Sequence, residues 1–325
     1  MYLLYNPSHD PAFNLAFEEY ALTQMDKDII MLWRNDRSVI IGSNQNAVEE
    51  MDLDYIGERG ITVIRRQSGG GAVFHDLGNI NFTVIHAMGK DDFNNYSKFT
   101  APIVDFLATL GVEAELKGRN DLLIDGMKFS GNAQAVRGGR IMHHGTILYD
   151  ADFGDLAGAL RPSPAKIESK GIKSVRSRVT NVASHLPSPM PVEEFLDLLY
   201  RYYLESGTDM EEYTATPADI AAVNKLVEEK YGTWEWNFGH SPAYDYRREE
   251  AFPFGLVDLR LQVAGGVIRS AVIYGDFFGI GDKAELETRL AGLPHRREAI
   301  LEALSGVDLG RYISGITAEA FAELF

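Results

Sequence analysis

The residues best suited to chemistry in this chain are glycines and cations, and they fall in four short stretches. The first reads Arg65-Arg66-Gln67-Ser68-Gly69-Gly70-Gly71-Ala72-Val73-Phe74-His75-Asp76, followed by Gly78-Asn79. Three consecutive glycines let a backbone approach a ligand closely and present successive N–H groups, which suits an anion. The two arginines ahead of them add fixed positive charge and forked donors. This is neither a Walker A loop, since no Gly-Lys-Ser/Thr follows, nor a dinucleotide fingerprint. The second stretch is Gly118-Arg119-Asn120-Asp121, continuing to Lys128, Phe129, Ser130, Gly131 and Asn132. Lys128 lies two residues past Asp125-Gly126, on a returning strand whose ladder fixes its direction; an exposed strand lysine is the competing reading. Asp121 reads either as a turn residue or as a metal ligand. The third is His143-His144-Gly145-Thr146. Adjacent strand residues point to opposite faces, so these histidines cannot share one metal, and a structural or ligand-contact role is left. In the fourth, residues 166–181, Lys166, Lys170, Lys173, Arg176 and Arg178 surround a single acid, Glu168.

That basic cluster stands out because the chain as a whole is acidic. It has 325 residues, 31 basic against 47 acidic, for a net charge of −16. A general basic surface for nucleic acid is therefore not expected, whereas a local cation cluster fits a polyphosphate clamp. There are no cysteines, which removes disulfides, thiolate metal sites and any thioester intermediate. No apolar run approaches the roughly 20 residues that cross a bilayer. Residues 1–10 lack a basic start and an apolar stretch, so no secretory leader is expected.

The elements that must position these groups follow from periodicity. Asp10 caps a first helix, with Pro11 at its first position and Phe13, Ala16, Phe17 and Tyr20 at helical spacing. Strands are predicted over residues 29–33, 38–41, 61–64, 80–85 and 140–149, and helices over 100–110 and 192–205. Asp125-Gly126 predicts a two-residue type I′ turn inside a hairpin spanning 122–131. Short hairpins with irregularly placed helices argue for an α+β fold with mixed or antiparallel sheets flanked by helices. The polar run around 245–250 predicts a boundary, giving a catalytic domain over 1–246. A small α+β domain over 247–325 follows, with a hairpin at 257–274 and helices at 283–290, 296–304 and 317–324.

Taken in order, these motifs, with Ser169 to Asn181 and Trp234-Glu235-Trp236-Asn237-Phe238-Gly239, resemble the lipoate–protein ligases over nearly the whole chain. The later part is similar to the accessory domain of the longer members. The resemblance implies a biotin/lipoate ligase-like fold and an enzyme that activates lipoate with ATP as lipoyl-AMP before transfer to a protein lysine. It implies Lys128 as the catalytic lysine. It implies ATP or lipoate contacts at Arg66, Ser68, Gly69, Gly70, Gly71, Ala72, Val73, Phe74, His75 and Asn79. Further contacts are implied at Asn120, Asp121, His144, Gly145, Lys170, Arg176, Arg178 and Asn181. Mg²⁺ is expected as cofactor, with Asp121 as its ligand. Expected partners are lipoyl domains of E2 subunits or the glycine cleavage H protein, met by a cytoplasmic monomer with no nucleic acid and no membrane. The absent cysteine argues against an acyl-carrier transferase of related fold. A biotin ligase is expected to carry a Gly-Arg-Gly-Arg type loop instead. A silent lipoate-binding or regulatory module, or a ligase for octanoate, is the remaining alternative, and Lys128, Asp121 and the basic stretch argue against the silent one.

Overall fold

The structure, a computed structural model, describes residues 1–160, 179–205, 209–238, 246–264 and 266–325. The strands of its first part are β1 (Tyr2–Asn6), β2 (Ile29–Trp33), β3 (Ser38–Ile41), β4 (Thr62–Arg65), β5 (Val73–His75), β6 (Asn79–Ala87), β7 (Glu115–Lys117), β8 (Asp121–Ile124), β9 (Met127–Arg137), β10 (Arg140–Leu148) and β11 (Glu211–Glu212). Eight of them form one mixed sheet in the order β11-β1-β2-β6-β10-β9-β8-β7. Its β11-β1-β2 end is parallel, and every pairing from β2 to β7 is antiparallel.

Helices cover both faces of this sheet, which is why β2 reads as an unbroken apolar run, Ile29-Ile30-Met31-Leu32-Trp33, buried throughout. Ile30 and Leu32 pack with Phe99, Ile103 and Phe106 of helix Tyr96–Thr109 and with Phe195 and Leu199 of helix Val192–Glu205. Ile29, Met31 and Trp33 pack with Leu15, Phe17 and Leu22 of helix Pro11–Thr23 on the opposite face. Each such side chain contributes about 1.5–3 kcal/mol on burial. A second sheet, β4-β3-β5, encloses its own cluster of Val39, Ile41, Val63 and Phe74.

Several boundaries move from their expected places for local reasons. Helix Tyr96–Thr109 starts four residues before the expected 100, because Asn95 accepts from the Lys98 N–H and the chain continues helical through Pro102. Asp125 and Gly126 both take positive φ, 51° and 76°, as a type I′ turn requires. From Tyr246 onward the polar run is strand β12 (Tyr246–Phe252), at the edge of a third sheet with β13 (Gly255–Ala264) and β14 (Val267–Gly275). Its charges are paired rather than solvent-loose: Arg247 bridges Asp258 and Glu249. Polar residues on an edge strand carry no apolar alternation, so periodicity passes over them. This third sheet has a separate core of Leu259, Ile273, Phe277, Leu286 and Phe321.

Candidate active site

The glycine loop joins β4 to β5, and Arg66 determines its shape. The buried guanidinium donates from Nε to Ser68 Oγ at 2.9 Å and from Nη1 to the Ile40 carbonyl at 3.1 Å. Its Nη2 donates to the carbonyls of Gly69 at 2.6 Å and Gly71 at 2.9 Å. In a trans peptide the C=O and the following N–H point in opposite directions. Drawing the Gly69 and Gly71 carbonyls toward Arg66 therefore turns the N–H groups of Gly70 and Ala72 away from it, that of Gly70 toward the Phe277 carbonyl. Gly70 adopts φ 92°, open to glycine at no steric cost. Burial lowers the Arg66 pKa to about 10, with the nearby Glu18 opposing the shift, so the side chain remains a cation at neutral pH. Arg65 is spent elsewhere: it donates to the carbonyls of Gly42, Gln45, Trp236 and Asn237, pinning the base of the loop to helix Trp234–Asn237.

Lys128 stands on β9 across the hairpin from Asp121 on β8, with Nζ 2.7 Å from the carboxylate; the two side chains are 35% and 40% exposed. Gly131 leaves room for the lysine, since a Cβ there would sit 2.9 Å from Nζ. The Lys128 carbonyl accepts from the Thr180 N–H at 2.9 Å, so the chain returns beside this lysine after the basic stretch. Asn120 holds the turn against β9 by donating to the Asn132 carbonyl at 2.6 Å. The two motifs meet on one aromatic ring. Arg119 lies 4.4 Å from the Phe278 ring centroid, and a Cβ on Gly70 would be 3.1 Å from the same ring. The Gly70 N–H also faces the Phe277 carbonyl at 3.4 Å.

The remaining expected residues divide by environment. His143 and His144 do point to opposite faces: His143 stacks on Phe99 at 4.7 Å, whereas His144 lies against Ser68 at 2.6 Å and Glu18 at 2.9 Å. His75 is buried, accepts from Asn35 Nδ2 at 3.1 Å, and is held neutral because burial, then Arg66 and His144, lower its pKa to about 3. Phe74 belongs to the core of the second sheet and supports the loop's exit strand, whereas Asn79 donates to Asn81 within β6. Val73 starts that strand, half-buried. Gly145 lets β10 approach Asn132 and Phe82, which a Cβ would strike. Asn181 clamps the backbone of Ala151 through both ends of its amide at 3.0 Å. Lys170, Arg176 and Arg178 lie outside the described residues.

Sequence reasoning missed Glu18 and Glu19. Glu18 occupies the apolar stripe Leu15, Glu18, Leu22 of the first helix, and an acid at such a position is itself the signal. Glu19 gathers Lys230 and Tyr231, both at 2.8 Å, together with Gln67, tying the loop to the segment before Trp234. Among the described residues no group of three or more His, Cys, Asp or Glu side chains is placed to hold a metal ion.

The structure is that of an α+β protein in which the glycine loop and the hairpin that carries Lys128 meet on one aromatic ring through Gly70 and Arg119. Two family profiles divide the chain between them: the lipoyl protein ligase A/B catalytic domain matches residues 10–203, and the bacterial lipoate protein ligase C-terminus matches 241–325. The chain belongs to the lipoate–protein ligase family. Lipoate-protein ligase LplJ of Bacillus subtilis is 44% identical over 320 residues, 97% of each chain, and lipoate–protein ligase 1 of Staphylococcus aureus is 45% identical over 309 residues, 94% of each. Among solved structures, P. falciparum LipL1 in complex with lipoate superposes with TM-score 0.75 at 26% identity over 94% of both chains. A lipoate-protein ligase A bound with ATP gives 0.63 at 33% identity, over 73% of this chain and 98% of its own.

Proposed function

We propose that this chain is an ATP-dependent lipoate–protein ligase working by two half-reactions at one site. A lipoate carboxylate oxygen attacks the α-phosphorus of ATP, forming lipoyl-AMP and releasing pyrophosphate. The neutral amine of an acceptor lysine then attacks the acyl carbonyl, and AMP leaves. The observation that carries this reading is the Arg66-held loop, whose Gly71 faces open space and whose Ala72 N–H is turned away from Arg66, in a chain with full-length ligase relatives.

The first half-reaction brings two anions together, so donors and cations aimed at both lower its barrier. The loop amides suit the phosphate. Lys128, partly exposed and held by one carboxylate, can exchange Asp121 for the α-phosphate and the acyl carbonyl, bridging them as negative charge develops. The same ammonium then favours departure of AMP. Only about 0.1% or less of an ordinary lysine amine is neutral at pH 7, so a mixed anhydride is a suitable partner for so scarce a nucleophile. The resemblance assigns the cations Lys170, Arg176 and Arg178 to the adenylate as well. Mg²⁺ would be held by Asp121 with the phosphate oxygens, the usual manner for this ion, and would neutralise phosphate charge.

The acceptors are lipoyl domains of E2 subunits or the glycine cleavage H protein; one structural neighbour is described as a bi-partite lipoate protein ligase and its E2 lipoyl domain from Thermoplasma acidophilum. We place the enzyme in the cytoplasm, where ATP is available, as a monomer. The catalytic domain spans 1–246 and the accessory domain 247–325. The test is Lys128→Ala: lipoate-dependent pyrophosphate release should vanish while the circular dichroism and melting temperature stay those of the parent. Near-normal release from that variant sinks the assignment.

A further inference from the structure

A chain of hydrogen bonds runs beneath the glycine loop, and from it we infer that Glu18 is a positioning residue, holding His144 as its Nδ1–H tautomer so that Ser68 and Arg66 set the loop. The inference rests on the ligase reading for what the loop binds; the hydrogen-bond directions stand without it.

The directions can be assigned from one end. The Trp33 indole can only donate, and Nε1 gives its hydrogen to Thr83 Oγ1 at 2.9 Å. The Thr83 hydroxyl hydrogen is then directed to Glu18 Oε1 at 2.6 Å. Glu18 is 1% exposed, and its Oε1 faces the Thr83 hydroxyl and the His144 ring nitrogen, so it serves there as an acceptor. A carboxylate has no hydrogen to give, so the 2.9 and 3.1 Å contacts from its two oxygens to His144 Nδ1 require that this nitrogen carry one. In a neutral imidazole Nε2 is then an acceptor. Ser68 Oγ lies 2.6 Å from Nε2 and donates to it. That leaves the serine lone pairs for Arg66 Nε, at 2.9 Å. Arg66 completes the path by holding the carbonyls of Gly69 and Gly71.

Every link in this sequence has one donor and one acceptor, and a negative and a positive group stand near its two ends. Removing the carboxylate frees His144 to carry its hydrogen on Nε2. Then Nε2–H and Arg66 Nε–H both point at Ser68 Oγ, while the serine hydrogen loses its acceptor. In a buried network that mismatch is costly and spreads to its neighbours. The loop carbonyls are the last members of the path, so their placement, and that of the N–H groups with it, follows the state of His144.

The test uses the full chain. Nitrogen-15 NMR of histidine-labelled protein at neutral pH, with His144 assigned by comparison with His144→Gln, should show Nδ1 protonated and Nε2 bare. Glu18→Ala should move the proton to Nε2. In the same samples, lipoate-dependent pyrophosphate release should fall about 10–100-fold in kcat/KM for ATP. Glu18→Gln, whose carbonyl oxygen still accepts from Nδ1 and Thr83, should recover most of that loss. Adding Ser68→Ala to Glu18→Ala should cost little more than either alone, because both break one path. A parent His144 protonated on Nε2 overturns the inference, as do unchanged kinetics in Glu18→Ala or losses that simply multiply. A parent enzyme that releases no pyrophosphate counts against the ligase reading instead, and the tautomer measurement then still decides the positioning role.

Discussion

The glycine loop and the Lys128 hairpin carry opposite designs for one purpose. The loop is buried, and its arginine meets a partner at Nε and at both Nη atoms; removing any one group leaves another unpaired. Lys128 sits on a regular ladder, over a third exposed, with one carboxylate as partner. The contrast teaches a division of labour. In the proposed reaction the loop is a preorganised receptor that needs no rearrangement, whereas Lys128 is the cation left free to change partners. On that proposal stability is concentrated at the loop and reactivity at the hairpin.

Substitutions can break or sharpen that contrast, beginning with the largest effect. Lys128→Ala should reduce pyrophosphate release by about 1,000-fold or more with little change in melting temperature, since an exposed ion pair contributes at most about 1 kcal/mol. Arg66→Lys should do the reverse in character. A single ammonium cannot reach Ser68, Gly69 and Gly71 together, so chemical denaturation should reveal a loss of about 2–4 kcal/mol alongside weakened ATP binding. Gly70→Ala, forced to a φ of 92°, should lose about 1–3 kcal/mol in the same assay, and would contradict a rigid loop if it lost nothing.

Acid should act on the loop side as well. His75 is neutral when folded down to about pH 3, but unfolded it gains a proton below about pH 6.5. Between those limits the unfolded chain binds more protons, so stability rises with pH and falls on acidification. His75→Gln should flatten that part of a melting-temperature profile relative to the parent. The smallest expected effect is Asp121→Asn, which should shift stability by no more than about 0.5 kcal/mol. If Asp121 supplies an oxygen to Mg²⁺, the same variant should raise the Mg²⁺ concentration needed for half-maximal pyrophosphate release.

Much of this was legible in the residues. The strands at 29–33 and 38–41 and the helix at 192–205 appear where the pattern places them, because apolar side chains at periods of 2 and 3.6 have few other ways to be buried. The Asp125-Gly126 turn located Lys128 on its strand for a similarly local reason. The opposite facing of His143 and His144 required only the pleat. Other features left little mark. β12 is polar on an edge, Arg65 and Arg66 look alike in sequence yet hold different backbones, and nothing near Gly70 announces Phe278.

By itself the sequence determined the chain's secondary elements, its acidic surface interrupted by cations, and the order of motifs that identifies the family, since all of these depend on neighbours within a few positions. Only the tertiary structure decided which arginine shapes the loop, which group faces each nitrogen of His144, and that Glu18, Ser68 and His144 touch at all. Those outcomes depend on donors and acceptors brought together from distant segments and sealed from water. Burial makes each partner's identity matter, and no local pattern records it.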